Sequence, residues 1–111
     1  MRIYVAGPYS KGNQMQNVHA AIDAAELLVV MGHTPFIPHL TAFWSLVYSH
    51  PDDFWYAYDL EWLKVCDALL RLPGPSVGAD NEVRQAKAQG KPVYYSLADV
   101  PEEVKLWKRC L

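Results

Sequence analysis

Glu82 is a candidate catalytic residue, because its carboxyl group follows a loop of small residues near a predicted helix N-terminus. It follows a turn of small residues over 73–78 and belongs to a helical segment expected to open between Ala79 and Glu82 and to close at Gly90. Upstream, residues 66–72 (CDALLRL) predict a buried strand. A strand, a small-residue loop and a helix N-terminus in this order favour an anionic ligand. Glu82 is thus either a nucleophile or general base in that crevice, or a carboxylate that complements the helix dipole in the first turn.

A second carboxyl group, that of Asp59, is expected to point toward the interior or toward the same crevice. Residues 51–65 predict a helix that begins after Pro51. Asp59 precedes Trp62 and Leu63 by three and four residues, so helical periodicity places it on an apolar face. Acids are uncommon in the interior without a partner. Asp59 therefore either faces the crevice or lies at the boundary of the stripe, bonded to a loop N–H.

The elements that must position these groups alternate between strand and helix. Continuous apolar runs predict parallel strands covered on both faces, and periodic segments predict helices. The expected strands are 2–6, 33–37, 66–72 and 93–95, and the expected helices are 13–31, 51–65, 79–90 and 101–110, the last with Val104 and Trp107 facing in. This order predicts a flavodoxin-like three-layer α/β/α fold with a four- to five-stranded parallel sheet. Its ligand should lie at the switch point, where loops 7–13 and 73–82 meet.

The loop after the first strand supplies further polar groups. Its glycines can admit a phosphate or sugar and its tyrosine can support a ring, although an ordinary turn with a half-exposed tyrosine is equally open. The residues concerned are Gly7, Tyr9, Ser10 and Asn13. His33 and His39 match no common zinc motif and are expected at polar edges, with His39 at a strand end within reach of a ligand. No metal is expected.

Seven aromatic residues fall within sixteen positions, more than one small helix face usually absorbs. They are Phe43, Trp44, Tyr48, Phe54, Trp55, Tyr56 and Tyr58. Such rings suit a pocket wall for a planar base, a subunit interface or a bulky satellite core. Self-association as a homo-oligomer is expected, with Trp44, Tyr48 and Trp55 as interface candidates.

Composition narrows the class of protein. A chain of 111 residues with 51% hydrophobic and 20% charged residues suits one compact domain. A formal net charge of −2 argues against a duplex nucleic acid or an anionic membrane as partner and favours a small molecule. Cys66 and Cys110 match no disulfide spacing, and no signal peptide or membrane-spanning run is present, so a cytoplasmic location without disulfides is expected.

Three segments, IYVAGPYS, YDLEWLKVCDALL and PSVGADNEVRQAKAQGKPV, resemble the nucleoside 2-deoxyribosyltransferase superfamily, including its branch that hydrolyses deoxynucleoside 5′-monophosphates. The resemblance spans nearly the whole chain. It implies that Glu82 is the nucleophile, that Asp59 contacts the sugar or the leaving base, and that Tyr9 is the aromatic residue of the first loop. The implied reaction is hydrolysis or transfer at an N-glycosidic bond through a covalent glycosyl-enzyme on Glu82, without a cofactor.

Position 76 distinguishes branches of that superfamily. Transferases acting on free nucleosides typically carry Asp there, whereas the monophosphate hydrolases carry Ser, as this chain does. A hydroxyl group before a helix N-terminus binds phosphate and a carboxylate repels it, so Ser76 and Gly78 are expected to seat a 5′-phosphate. The chain departs from the superfamily at Asp80, Asn81 and Arg84, and Asp80 is expected to raise the pKa of Glu82 or to cap the helix.

Two other functions remain open. One is a nucleotide-binding module without turnover. The other is a flavodoxin-like interaction domain, in which the aromatic stretch forms an interface and Glu82 only complements a helix. Loss of turnover with retained binding in Glu82→Ala would separate an enzyme from a silent binding module, and a nucleotide-dependent rise in melting temperature would argue against the interaction domain.

Overall fold

A four-stranded parallel sheet forms the centre of the computed structural model, which describes residues 1–105 and 107. Its strands are β1 (Arg2–Ala6), β2 (Thr34–Phe36), β3 (Ala68–Arg71) and β4 (Val93–Tyr94). They lie in the order β2-β1-β3-β4, and every pair is parallel. The chain therefore reverses its direction of winding between β1 and β3, which makes their carboxyl ends the switch point of the sheet.

Helices cover both faces of this sheet. They are α1 (Gln14–Val30), α2 (Thr41–Val47), α3 (Asp52–Val65) and α4 (Val77–Ala88), with 3-10 turns at Pro38–Leu40 and Leu97–Asp99. One core cluster joins Ile3 and Val5 to Leu28 of α1. The other joins Tyr4 to Leu63 of α3 and Val83 of α4. Alternate residues of β1 thus enter opposite layers, which confirms the predicted flavodoxin-like three-layer fold.

Side-chain caps decide where two of the helices begin. Asn13 Oδ1 accepts the N–H of Gln16 at 3.0 Å before α1, and Ser76 Oγ accepts the N–H of Ala79 at 3.0 Å before α4. The α4 helix therefore opens at Val77, earlier than predicted. Glu82 consequently lies in the second turn, so its interpretation as a first-turn carboxylate that complements the helix dipole is wrong.

The predicted helix over 101–110 is wrong in its first half. Residues 101–105 are not helical, and residues 106 and 108–111 lie outside the described part of the chain. Val104 is 96% exposed and Trp107 is 37% exposed, so neither faces the core. Instead the segment docks on the end of α1, where the N–H of Glu103 donates to the carbonyl oxygen of Met31 at 2.8 Å. This contact passes so close to Gly32, whose φ is +95°, that a Cβ there would lie 2.0 Å from the Glu103 carbonyl oxygen.

The same segment buries His33, which the sequence placed at a polar edge. His33 has no exposed surface. Its Nε2–H donates to the carbonyl oxygen of Pro101, and its Nδ1 lies 2.9 Å from the amino group of Met1. The edge prediction is wrong because Met1 and Pro101 converge on this side chain and supply the partners that a buried imidazole needs.

The aromatic stretch forms a helix that the sequence did not predict. No residue of α2 is buried, and Phe43, Leu46 and Tyr48 are each at least 66% exposed. Trp44 packs edge-on against Trp55 of α3, with ring centroids 5.3 Å apart. Self-association through Trp44, Tyr48 and Trp55 stays a prediction. Within the described residues, no helix is long and apolar enough to cross a bilayer.

Candidate functional site

The site is built where the loops after β1 and β3 pack against each other. A Cβ on Gly7 would lie 3.0 Å from Cβ of Leu72, and a Cβ on Gly74 would lie 2.9 Å from Cγ of Pro8. Gly74 has a φ of +110°, a conformation that L side chains rarely adopt. Small residues therefore allow the two loops, 7–13 and 72–76, to meet at the switch point.

Glu82 reaches this point from α4 and is anchored to the central strand. It lies on the buried stripe of α4 with Ala79, Val83 and Ala86, and it is only 7% exposed. Its carboxylate accepts a hydrogen bond from the hydroxyl group of Tyr4, which has no exposed surface. Burial raises the pKa of Glu82 to about 7, although the Tyr4 hydrogen bond and the charge of Arg71 act to lower it.

Asp59 approaches the same group from α3. Burial raises the pKa of Asp59 to about 7, and the negative charge of Glu82 adds to the rise. Its Oδ1 is buried and has no hydrogen-bond partner among the described residues. Burial and then the two carboxylates hold the pKa of Tyr4 far above its usual range, so its hydroxyl remains a donor. The structure thus brings the two predicted carboxyl groups into electrostatic contact around one tyrosine.

The two carboxyl groups have unequal surroundings. Glu82 receives a hydrogen bond from Tyr4 and faces the cation of Arg71, and both favour its ionised form. Both influences found for Asp59, burial and the charge of Glu82, favour its protonated form. The hydrogen bond from Tyr4 and the charge of Arg71 therefore favour the ionised form of Glu82, whereas no such influence favours the ionised form of Asp59.

Arg71, at the end of β3, organises the second loop. Its Nη2 lies 2.9 Å from Oδ1 of Asp80 and 3.0 Å from the carbonyl oxygen of Gly74, and its Nη1 donates to the carbonyl oxygen of Leu72. From the sequence, Asp80 is predicted to raise the pKa of Glu82 or to cap the helix. The structure instead pairs Asp80 with Arg71 and gives the cap to Ser76.

Two side chains hold the first loop. Asn17 Nδ2 donates to the carbonyl oxygens of Tyr9 and Lys11 at 2.9 and 2.8 Å. His39, 3% exposed, donates its Nε2–H to the carbonyl oxygen of Pro8 at 2.9 Å and packs against the edge of the Tyr9 ring. Burial lowers the pKa of His39 despite the nearby carbonyl groups, so this imidazole is neutral and its N–H is already engaged. His39 positions the Tyr9 loop.

The remaining predicted site residues are spread over the rim. Asn13 uses its side chain as the cap of α1, and Ser10 is exposed. Gly78 lies in the first turn of α4, where an added Cβ would meet no atom within 4 Å. Within the described residues, no hydrogen bond joins Ser10 or Asn13 to Glu82. Ser76 and Gly78 therefore remain beside the second loop, whereas Ser10 and Asn13 face solvent.

Sequence reasoning missed two residues of the site, Tyr4 and Arg71. Tyr4 was read as part of an apolar run, yet a tyrosine in a strand covered on both faces needs a partner for its hydroxyl group. Arg71 is the last residue of an otherwise apolar strand, at the sheet edge where the crevice lies. A guanidinium at that position needs hydrogen-bond acceptors. In both cases the sequence indicates a polar group that needs a hydrogen-bond partner, but it does not indicate which residue is that partner.

An apolar groove lies next to the site, at the end of β2. It has a volume of about 290 Å³ and is lined by Pro35, Phe36, Ile37, Leu40, Thr41, Trp44 and Tyr58. The ring of Phe36 packs on Tyr4 with centroids 5.6 Å apart, which connects the groove to the partner of Glu82.

In the described part of the chain, no cluster of three or more His, Cys, Asp or Glu residues could hold a metal ion.

With this geometry established, comparison with known proteins places the chain in a family. The family described as "Domain of unknown function (DUF7768)" matches residues 1–96. The chain belongs to this family. No curated protein matches it.

A solved structure resembles the DUF7768 chain over most of its length. It is a 2-deoxyribosyltransferase from the psychrotolerant bacterium Bacillus psychrosaccharolyticus, described as a biocatalyst for nucleoside synthesis. The two share 23% sequence identity with a TM-score of 0.61, over 97% of this chain and 80% of that one. The likeness shows that the DUF7768 chain has the fold of that enzyme.

Proposed function

We propose that this protein cleaves the N-glycosidic bond of a (deoxy)nucleoside 5′-monophosphate through a covalent glycosyl-enzyme on Glu82. The observation that carries the proposal is that the buried carboxylate of Glu82, held by Tyr4, interacts electrostatically with the partly buried carboxyl group of Asp59 at the switch point of the sheet. Two carboxyl groups with different protonation preferences are the usual equipment of retaining glycoside hydrolysis. The shared fold with a 2-deoxyribosyltransferase supports this reaction class.

In the first step, a carboxylate oxygen of Glu82 attacks the anomeric carbon from the side opposite the base. The carbon–nitrogen bond breaks, its electron pair moves to the base, and Asp59 donates the proton that the departing base requires. The transition state resembles an oxocarbenium ion. Tyr4 holds the attacking carboxylate in place through its hydrogen bond.

In the second step, the glycosyl ester on Glu82 is broken. Water attacks the anomeric carbon, Asp59 accepts a proton from that water, and Glu82 leaves as a carboxylate. If a second base attacks instead of water, its N–H proton goes to Asp59 and the reaction is a transfer. Both outcomes regenerate the starting protonation state of the pair.

The ends of the substrate are assigned by chemistry. Ser76 and the N-terminal end of α4 suit a 5′-phosphate, since a hydroxyl group and the positive end of the helix dipole favour an anion. The apolar groove at the end of β2 suits a planar base, because Trp44 and Tyr58 lie with Phe36 along its wall. Tyr9, in the first loop, is proposed to contact the sugar.

The test is base release from a panel of ribo- and deoxyribonucleoside 5′-monophosphates, separated by chromatography. Wild-type protein is expected to release base from at least one member, and Glu82→Gln is not. Glu61→Gln is the matched control, because that carboxylate is 71% exposed on α3 and pairs with Lys64. A 2′-fluoro nucleotide analogue should leave a sugar phosphate on the peptide containing Glu82, detected by mass spectrometry.

Two results would overturn the assignment. Binding of a nucleotide without base release, in the presence and absence of an acceptor base, would show a nucleotide-binding module instead. Base release that survives in Glu82→Gln would show that another group is the nucleophile.

A further inference from the structure

The ion pair between Arg71 and Asp80 lies beside the loop proposed to hold phosphate, and its partners differ in exposure. The side chain of Arg71 is 10% exposed and that of Asp80 is 58% exposed. The guanidinium is held from within by the carbonyl oxygens of Leu72 and Gly74. Asp80 reaches the same guanidinium from the solvent side, with Oδ1 2.9 Å from Nη2. The guanidinium of Arg71 is therefore buried in the loop, whereas the carboxylate of Asp80 lies at the protein surface.

Both charges act where a phosphate would bind. Asp80 is in the first turn of α4, directly after the cap formed by Ser76. A carboxylate at this place complements the helix dipole and competes with any anionic ligand. Arg71 supplies the opposite charge at the same end of the helix. The net charge met by a ligand phosphate is therefore decided by the two residues together.

Arg71 also acts on Glu82. The groups that interact with the carboxylate of Glu82 are Tyr4 from β1, Asp59 and Tyr56 from α3, and Arg71 from β3. Arg71 is the cation that lowers the pKa of Glu82 against the effect of burial. Because Asp80 compensates part of that cation, a change at Asp80 should be felt at Glu82 even though the two carboxylates make no direct contact.

We propose that the Arg71–Asp80 pair determines how strongly the site prefers a 5′-phosphate over a 5′-hydroxyl group. The inference rests on the proposed function and assigns its selectivity to two residues of this chain. Arg71 raises the affinity for phosphate and Asp80 lowers it, so the wild-type protein balances the two. Both are positioning and selectivity residues, since neither touches the reacting atoms.

Arg71→Gln and Asp80→Asn break the same ion pair from opposite ends. A purely structural role predicts the same effect for both, because the same contact is lost. The proposed role predicts opposite effects on the ratio of affinities for a nucleoside 5′-monophosphate and its matching nucleoside. Asp80→Asn should raise this ratio about tenfold and Arg71→Gln should lower it about tenfold, since one unit charge is removed at close range. High salt should shrink both shifts.

The measurement is titration calorimetry of the full chain with paired nucleosides and 5′-monophosphates. Carbon-13 spectra of the Glu82 carboxyl group provide a second readout, with a higher pKa expected in Arg71→Gln and a lower pKa in Asp80→Asn. Arg71→Lys keeps the charge but loses the fork of donors, so its affinity ratio should stay within about twofold of wild type. This variant separates charge from loop geometry if Arg71→Gln folds poorly.

Shifts of the same sign in Asp80→Asn and Arg71→Gln, or an unchanged ratio in both, would overturn the proposal. If base release is observed but the affinity ratios shift with the same sign or stay unchanged, the proposed function stands and the selectivity inference alone fails. If no nucleoside or nucleotide binds to any variant, both fail.

Discussion

Glu82 and Asp59 are two carboxyl groups with similar pKa values and different surroundings. Each is raised to a pKa of about 7 by burial. Glu82 has a bound hydroxyl donor and a nearby cation, whereas Oδ1 of Asp59 has no partner among the described residues and Asp59 faces the charge of Glu82. Burial therefore raises the pKa of both carboxyl groups toward neutral pH, and in the proposed mechanism their different neighbours make Glu82 the nucleophile and Asp59 the acid.

The largest expected effect is on the rate of base release, which should respond differently to substitution of Glu82 and of Asp59. Glu82→Gln should reduce base release at least about 10³-fold, because the proposed nucleophile is lost. Asp59→Asn should reduce it about 10² to 10⁴-fold with ordinary bases, because a general acid is lost. With a nucleotide whose base leaves without a proton, such as an N7-methylated purine, Asp59→Asn should recover much of the rate and Glu82→Gln should not. Equal recovery in both variants would contradict this division of roles.

The next effect should come from removing the donor that distinguishes Glu82 from Asp59. Tyr4→Phe leaves the buried ring but deletes the hydrogen bond to the carboxylate, so the pKa of Glu82 should rise further. The rise of activity with pH, which reports ionisation of Glu82, should move to higher pH, and stability should fall by about 1.5 to 3 kcal/mol at neutral pH. Tyr95→Phe, at an exposed position, is the control and should change neither the pH profile nor the unfolding midpoint.

Stability should depend on pH with a sign set by burial. The pKa of Glu82 rises from 4.5 to about 7 on folding, so the folded protein binds more protons than the unfolded chain between these values. The contribution of this group to stability is therefore fully present below about pH 4.5 and is lost as the pH rises through 7, a loss of about 3 kcal/mol in all. Urea unfolding of wild type and Glu82→Gln at several pH values should show a flatter dependence in the variant. The control Glu61→Gln should follow wild type, and a variant as steep as wild type would contradict the shift.

The smallest effect concerns the phosphate end. Ser76→Ala removes the cap of α4 and should cost about 1 kcal/mol of stability. It should also weaken binding of a 5′-monophosphate more than binding of the matching nucleoside. Ser76→Thr, which keeps a hydroxyl cap, should restore most of both. A uniform loss for both ligands would limit Ser76 to its role as a cap.

Local pattern was sufficient for most of the fold. The strand Arg2–Ala6 has the predicted bounds, and α3 starts one residue after Pro51 and ends at Val65 as expected. The apolar run of Arg2–Ala6 and the proline that precedes α3 are properties of neighbouring residues. The helix predicted after Pro101 was wrong because a long-range hydrogen bond from Glu103 to Met31 replaces the helix that the local residues favour.

The sequence by itself determined the alternating architecture, and both its local pattern and its family resemblance indicated Glu82 and Asp59 as candidate site residues. Only the tertiary structure decided their partners. Tyr4 and Glu82 are 78 positions apart, and the sheet and the packing of α4 bring them together. Arg71 and Asp80 meet because the loop between them folds back on the guanidinium. Partners of buried polar groups depend on packing between elements, and no local pattern encodes that packing.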